Sequence, residues 1–334
     1  MNHTVSPLIE KSGAFQDVLN CIRGGQLPCS VFGVTPHAKA YFADAVARAA
    51  QKQVLCITST EQAARENAAA AGVLFPDNEL TLRNAEAKGR EEELVRVGVM
   101  KNAAHTKEPV FLSINAFLGR VVPRQHFKDA CLMLSSGKSY DGETLLSTLA
   151  QNGYERVGTV YSRGEFARRG EILDIYPSDS RLPIRITFFD DEIETIRTFD
   201  SETQKSVGKP MKEYLFPPAR EVVLSEDAKD KLFTYLKKQD NQTLAEKIMT
   251  EVEAYGNFDN ADTFLPVMFE PAFISDYFPG CILLFDDFDR IYSEAKRILV
   301  EFADMHANLM KENEAFGAQG ESMGDIRTLI KKRE

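Results

Sequence analysis

The sequence has five cysteines, at positions 21, 29, 56, 131 and 281, and no C-x-x-C pair. An odd count without paired spacing offers neither a disulfide framework nor a zinc site, and it fits a reduced, cytoplasmic setting. There is no basic excess: the formal net charge is −10. That excludes a chain devoted mainly to gripping nucleic acid, because neutralising phosphates needs clustered Lys and Arg. No apolar run approaches the roughly 18 residues needed to cross a bilayer, so no membrane role is expected. The start, MNHTVSPLIEKSG, lacks the basic and apolar regions of a signal peptide. The end, IRTLIKKRE, breaks off in a charged segment of helical spacing and reads as the edge of a fragment of a longer protein.

What is present is an ordinary 43% hydrophobic share in 334 residues, enough for one to three packed domains. The densest run of strand and turn signals lies at 153–207. Ile184, Ile186 and Phe188 alternate with Arg185, Thr187 and Phe189, which puts the two sets on opposite faces of a strand. Asp190, Asp191 and Glu192 make the turn, and 193–199 reads as the returning strand. Phe189 breaks the pattern, because it shares the solvent face with Arg185. An exposed aromatic beside an arginine is a common composition for a protein-binding hot spot. The alternative is that Phe189 folds over the hairpin end and caps the core.

The flanks follow another pattern. Buried strands are expected at 30–34, 53–58 and 109–114, and helices at 37–50, 59–71 and 91–104. Strands alternating with helices, with near-continuous apolar runs, indicate a parallel α/β sheet. The first strand leads into Gly33-Val34-Thr35-Pro36-His37-Ala38-Lys39-Ala40. A phosphate-binding loop reads G-x-x-x-x-G-K-[ST]; its glycines admit backbone N–H groups to the phosphates and its hydroxyl holds Mg²⁺. Gly33 and Lys39 have the required spacing, but Ala38 and Ala40 replace the second glycine and the hydroxyl, and Pro36 removes a donor. As a nucleotide site it is degenerate; otherwise it is a helix start capped by Thr35. Further on, a β segment at 220–224 and helices at 226–238 and 243–254 precede Cys281 to Asp287. An apolar strand ending in Asp286 and Asp287 has the shape of a Walker B strand, whose acids hold Mg²⁺ and activate water. The competing reading is that these acids cap the next helix, for which Asp289 is also suited. A long amphipathic helix runs through 291–309, and 317–324 reads as a linker.

Composition changes to hairpins in the middle, after a helix at 142–151. The expected fold class is therefore α/β: a discontinuous, degenerate P-loop NTPase-like parallel sheet domain with an inserted α+β domain. The boundaries are 1–125 and 218–315 for the sheet domain, 126–217 for the insert and 316–334 for a linker. The segments GYERV, GEFARRGEILDIYP and LPIRITFFDDEIETIRTFDSETQKS closely resemble the second domain of the bacterial transcription-repair coupling factors, and less closely a domain of the excinuclease subunit UvrB. GVTPHAKA resembles the UvrB phosphate loop in length and in its first three residues, and FPGCILLFDD the region of its Walker B. The resemblance covers about residues 15 to 310.

The resemblance implies a non-catalytic, UvrB-like module of nucleotide excision repair whose middle domain is of the UvrB-interaction type and binds UvrA. The family's contact positions match Arg169, Arg185 and Phe189, with Arg168 standing at a position more often uncharged. The family's ATP- and Mg-dependent DNA translocase motor lies further along its chain. So do its contacts to RNA polymerase and DNA, and nothing resembling those domains is present. The module needs no cofactor of its own. It also lacks the UvrB aromatic hairpin, since 75–108 is polar and helical with Phe75 as its one aromatic. The alternative is an ATP-dependent, helicase-like repair enzyme working from Lys39 and Asp286. A nucleic-acid-binding module without chemistry is disfavoured by the acidic charge and the absence of a basic-aromatic stripe.

Overall fold

The computed structural model describes residues 5–78 and 89–331. Its parallel sheet contains β1 (Val54–Thr58), β2 (Val73–Leu74), β3 (Val110–Ser113) and, far along the chain, β12 (Ile282–Phe285), in the order β12-β1-β3-β2. β1 is buried throughout. Leu55 and Ile57 point into one hydrophobic cluster and Val54 and Cys56 into another, so helices cover both faces. Above the second face lies helix α1 (Lys39–Ala50), packed through Ala43, Val46 and Ala47. Helix α2 (Glu61–Ala71) is capped by the Thr60 hydroxyl, which accepts from the Ala63 N–H. Helix α3 (Arg90–Asn102) carries Val97, Val99 and Met100 to the other face.

Residues 132–219 build a second core. Strands β4 (Leu132–Ser135) and β11 (Glu213–Phe216) pair with each other as antiparallel neighbours. Between them a six-stranded sheet is formed by β5 (Glu155–Arg156), β6 (Glu165–Arg169), β7 (Ile172–Ile175), β8 (Ile184–Phe189), β9 (Glu192–Phe199) and β10 (Ser206–Met211), in the order β10-β9-β8-β7-β6-β5. One face, with Phe166, Leu173, Ile175, Ile184, Ile186, Phe188 and Ile196, closes on helix α4 (Gly142–Gln151). That helix occupies its expected residues because Asp141 caps it, its carboxylate accepting from the Thr144 N–H at 2.9 Å. A Cβ on Gly142 would come within 2.6 Å of the Arg168 guanidinium, the end of a long side chain that would have to swing aside.

The two cores share helix α3. Its Leu94 belongs to the second core while its next turns belong to the first. Arg96, on that helix, donates to Glu221 through Nε at 2.7 Å and Nη2 at 3.2 Å, and to the Pro76 carbonyl at 2.8 Å. Both side chains of this ion pair are buried, and the Arg96 guanidinium lies 4.2 Å from the Phe75 ring centre. Beside it the Glu93 carboxylate accepts from the Glu221 N–H, and burial holds the Glu93 carboxyl above its ordinary range.

Three expectations fail. Residues 30–34 form no strand: Phe32 is 90% exposed and Gly33 sits at φ 83°. β1 is already flanked by β12 and β3, so the sheet has no central place for this segment. Residues 220–224 are not β either, because side chains take their backbone groups: Glu93 takes the Glu221 N–H, Asn257 the Val222 carbonyl and His126 the Val223 carbonyl. Residues 317–324 are no free linker. Gln319 and Ser322 are buried and bond to Thr263, Gly324 N–H donates to the Leu118 carbonyl, and Ile326 and Leu329 enter the first core. The hairpin-free helical stretch expected at 75–108 falls partly on 79–88, outside the described residues. No helix among the described residues is long and apolar enough to cross a membrane.

Arg96→Met leaves Glu221 buried without a counter-charge and should cost about 3–5 kcal/mol, read from urea unfolding. Glu93→Gln retains the acceptor for the Glu221 N–H without the charge. A carboxyl whose folded pKa is raised favours the fold below its unfolded pKa, and that contribution is lost as pH rises through the folded pKa. The Gln variant should therefore melt at or above the parent temperature at pH 8, and the difference should vanish near about pH 4, where Glu93 is itself neutral.

Candidate protein-binding face

The second face of the six-stranded sheet looks away from the core, and strand register fixes what lies on it. Asp174 of β7 stands opposite Ala167 of β6 and Arg185 of β8, and Arg185 stands opposite Arg197 of β9. One row along, Arg169, Ile172, Thr187 and Thr195 line up across the same four strands. The threonine hydroxyls are hydrogen-bonded at 2.9 Å. Phe189 ends β8 at the hairpin tip, where Asp190 takes a left-handed turn at φ 57°. Phe189 is 76% exposed and does not fold back over the core, while its neighbour Phe188 is buried. The alternation read from the sequence is therefore the observed one.

The arginines differ from each other. Asp174 is fully buried, and Arg185 grips it with two bonds, Nε at 2.7 Å and Nη2 at 2.9 Å. Arg185 also donates to the Gln204 carbonyl at 2.8 Å and lies 4.4 Å from the Phe199 ring centre. Asp174 holds the Arg185 guanidinium more firmly charged than a free arginine. Arg185 is only 15% exposed, and it is engaged inside the molecule rather than free to meet a carboxylate of a partner. Arg169 is 46% exposed and gives Asp174 a single bond at 3.0 Å, leaving most of its fork to solvent. Arg168 neither adds to this face nor competes for it. It points to the other side, over Phe188 at 5.1 Å.

The expected nucleotide-site residues are only partly assembled. Lys39, at the start of α1, forms an ion pair with Asp286 at the end of β12. Asp287 stands at the start of the long helix α5 (Phe288–Lys311). Asp287, and not Asp289, caps it, accepting from the Arg290 N–H. Gly33 lies in the exposed segment before α1. Ala40 is buried and brings no oxygen. Burial, with Asp286 nearby, pushes the Cys56 thiol up to about 12, so it is a packing group. No group of three or more His, Cys, Asp or Glu suited to a metal occurs among the described residues.

Residues 132–221 match the family described as the UvrB interaction domain. Over most of its length the chain is similar to transcription-repair-coupling factors. It is 27% identical to that of Bacillus subtilis over 348 residues, covering 97% of this chain and 29% of the relative. It is 27% identical to that of Staphylococcus haemolyticus over 344 residues, with 96% and 29% covered. For Haemophilus influenzae the figures are 29% over 238 residues, with 67% and 20% covered. These matches support an N-terminal module of a transcription-repair-coupling factor. The chain spans less than a third of the length of these relatives.

Sequence reasoning missed Asp174, Gln204 and Arg197. Two of them were within reach. Antiparallel strands pair residues whose numbers have a constant sum, so once Thr187 meets Thr195, Arg185 must meet Arg197. Asp174 has outward parity between two arginine-bearing strands. Gln204 arrives from a loop and gives no such signal. Arg185→Ala should cost about 2–4 kcal/mol, because it strips a buried carboxylate of its main partner. Phe189→Ala should change stability by less than about 0.5 kcal/mol, as expected of an exposed site. Denaturant titration of both variants measures the contrast.

Proposed function

We propose that this chain is a non-catalytic docking module of transcription-coupled nucleotide excision repair, which recruits the damage-recognition subunit UvrA through the outer face of its six-stranded sheet. The observation that carries the reading is Phe189: a large aromatic at the hairpin end of β8, 76% exposed, inside the segment that matches the UvrB interaction domain. Phe189 enters an apolar pocket of UvrA, and Arg169 pairs with a carboxylate at its rim. The planar guanidinium suits this, because it binds a carboxylate through two parallel bonds and packs on apolar surface. Arg185 acts beneath them, fixing β7 to β8 through Asp174.

The parallel sheet is, in the same reading, a P-loop NTPase-like scaffold that has lost its nucleotide site. Lys39 is occupied by Asp286, the metal-holding hydroxyl is replaced by Ala40, and Pro36 stiffens the loop. The module then takes no cofactor, and it works in the cytoplasm. ATP and Mg²⁺ serve only the motor of the intact protein, which also carries the contacts to RNA polymerase and DNA. The rival reading, a helicase-like enzyme using Lys39 and Asp286, draws on the contact between those two side chains.

In a titration of the purified chain with UvrA, Phe189→Ala should weaken binding about thirtyfold or more with an unchanged melting temperature. Binding equal to the parent's by this variant and by Arg169→Glu would remove the basis for the docking face. Fluorescent ATP should show no saturable binding at micromolar concentration; saturation there, lost in Lys39→Ala, would favour the enzyme.

A further inference from the structure

Arg197 holds an unusual place on the docking face. It stands in register directly opposite Arg185. Like charges opposed across a strand pair repel. Here the repulsion is relieved from one side only, because Asp174 is spent on Arg185 and Arg169. Arg197 is partly exposed and makes no side-chain hydrogen bond or ion pair among the described residues. Its other neighbour gives no cover. β10 slips register between Val207 and Met211, so Arg197 has no paired residue there, and the extra residues Gly208, Lys209 and Pro210 bring no carboxylate. The face thus carries three guanidinium groups on one buried carboxylate, and the least compensated of them is Arg197.

We propose that Arg197 is a second partner-facing arginine, and that UvrA presents two separated carboxylates to this sheet, one to Arg169 and one to Arg197. This rests on the docking reading above and refines the chemistry of its partner. Arg169 on β6 and Arg197 on β9 lie three strands apart, about 15 Å across the face. The ground between them is Ile172 with the hydrogen-bonded Thr187–Thr195 pair, a small surface of low charge that a partner can cover without stranding an ion. Phe189 stands at the hairpin end of the same face, about 14 Å along the strand from the Arg197 row. Three anchors set as a triangle fix the orientation of a partner as well as its attachment. Arg185, in the Arg197 row on the neighbouring strand, lies just outside the triangle with its charge already answered by Asp174.

The test is the affinity of the full chain for purified UvrA, with melting temperatures, for Arg197→Glu, Arg197→Ala, Arg197→Lys and Phe189→Ala. Arg197→Glu should weaken binding about tenfold or more, Arg197→Ala less, and Arg197→Lys should recover part of the loss, because charge survives without the fork. Melting temperatures should stay within about 2 °C of the parent, since no internal partner of Arg197 is lost. Affinity of the Arg197→Ala variant should also fall less steeply with added salt. Parent-like binding by Arg197→Glu, with Phe189→Ala still weakened, overturns the role of Arg197 and leaves the docking face standing. Parent-like binding by both overturns the docking face itself. Should the glutamate variant unfold, Arg197→Ala decides by the same two criteria.

Discussion

The buried pair of Arg96 and Glu221 governs how the two halves of the molecule meet. Arg96 belongs to the helix that underlies the parallel sheet, and Glu221 stands where the chain returns from the six-stranded sheet. Burying two full charges is expensive, and a well-packed apolar pair often stabilises a core as much. The gain here is geometric. A guanidinium with three directed bonds and an aromatic ring beneath it tolerates little sliding. Within the second core, strand alternation turns Phe166, Ile184 and Phe188 inward onto helix α4, and the opposite face carries a small cluster of its own around Val160, Ala167 and Phe199.

The character of that outward face depends in turn on Asp174. A carboxylate with no exposure needs counter-charges and hydrogen bonds, and Arg185 with Arg169 supplies both. Arg185 is consumed by this demand, so its presence on the face does not make it a free cation. On the proposed reading, the partner-facing groups are those the pair leaves over: the outer part of Arg169, the uncompensated Arg197 and the ring of Phe189. Exposed aromatics cost little where the strand beneath them is held by its neighbours, and β8 is paired on both sides.

How much of this was legible in the sequence varied with how local the cause was. Helix 142–151 was readable to its ends because Asp141 and the spacing of Leu145, Leu146 and Leu149 are local signals. The β8–β9 hairpin was readable because its alternation and turn lie within sixteen residues. Segment 30–34 looked like a strand, yet strand formation needs a neighbour, and composition cannot say that β1 has both of its own. The Gly-rich stretch at 317–324 looked like a linker, because the partners that bury Gln319 and Ser322 lie some 55 to 60 residues away at Thr263. Phe189 was legible as a misfit, whereas the reason Arg185 is not free lay in an acid on another strand.

The same logic bears on Lys39 and Asp286, the residues expected of a nucleotide site. In a working site a lysine at the position of Lys39 is kept for phosphate, and a hydroxyl and an acid share the metal. Here Ala40 offers no side-chain oxygen to a metal, and among the described residues the acid at position 286 is paired with Lys39. A triphosphate would have to part that pair and then face Asp286 and Asp287 without the Mg²⁺ that normally screens them. As the structure stands, Lys39 and Asp286 form a brace between α1 and the end of β12. On the proposed reading the scaffold keeps these residues for the sheet they hold together, and its binding work falls to the face that Asp174 organises.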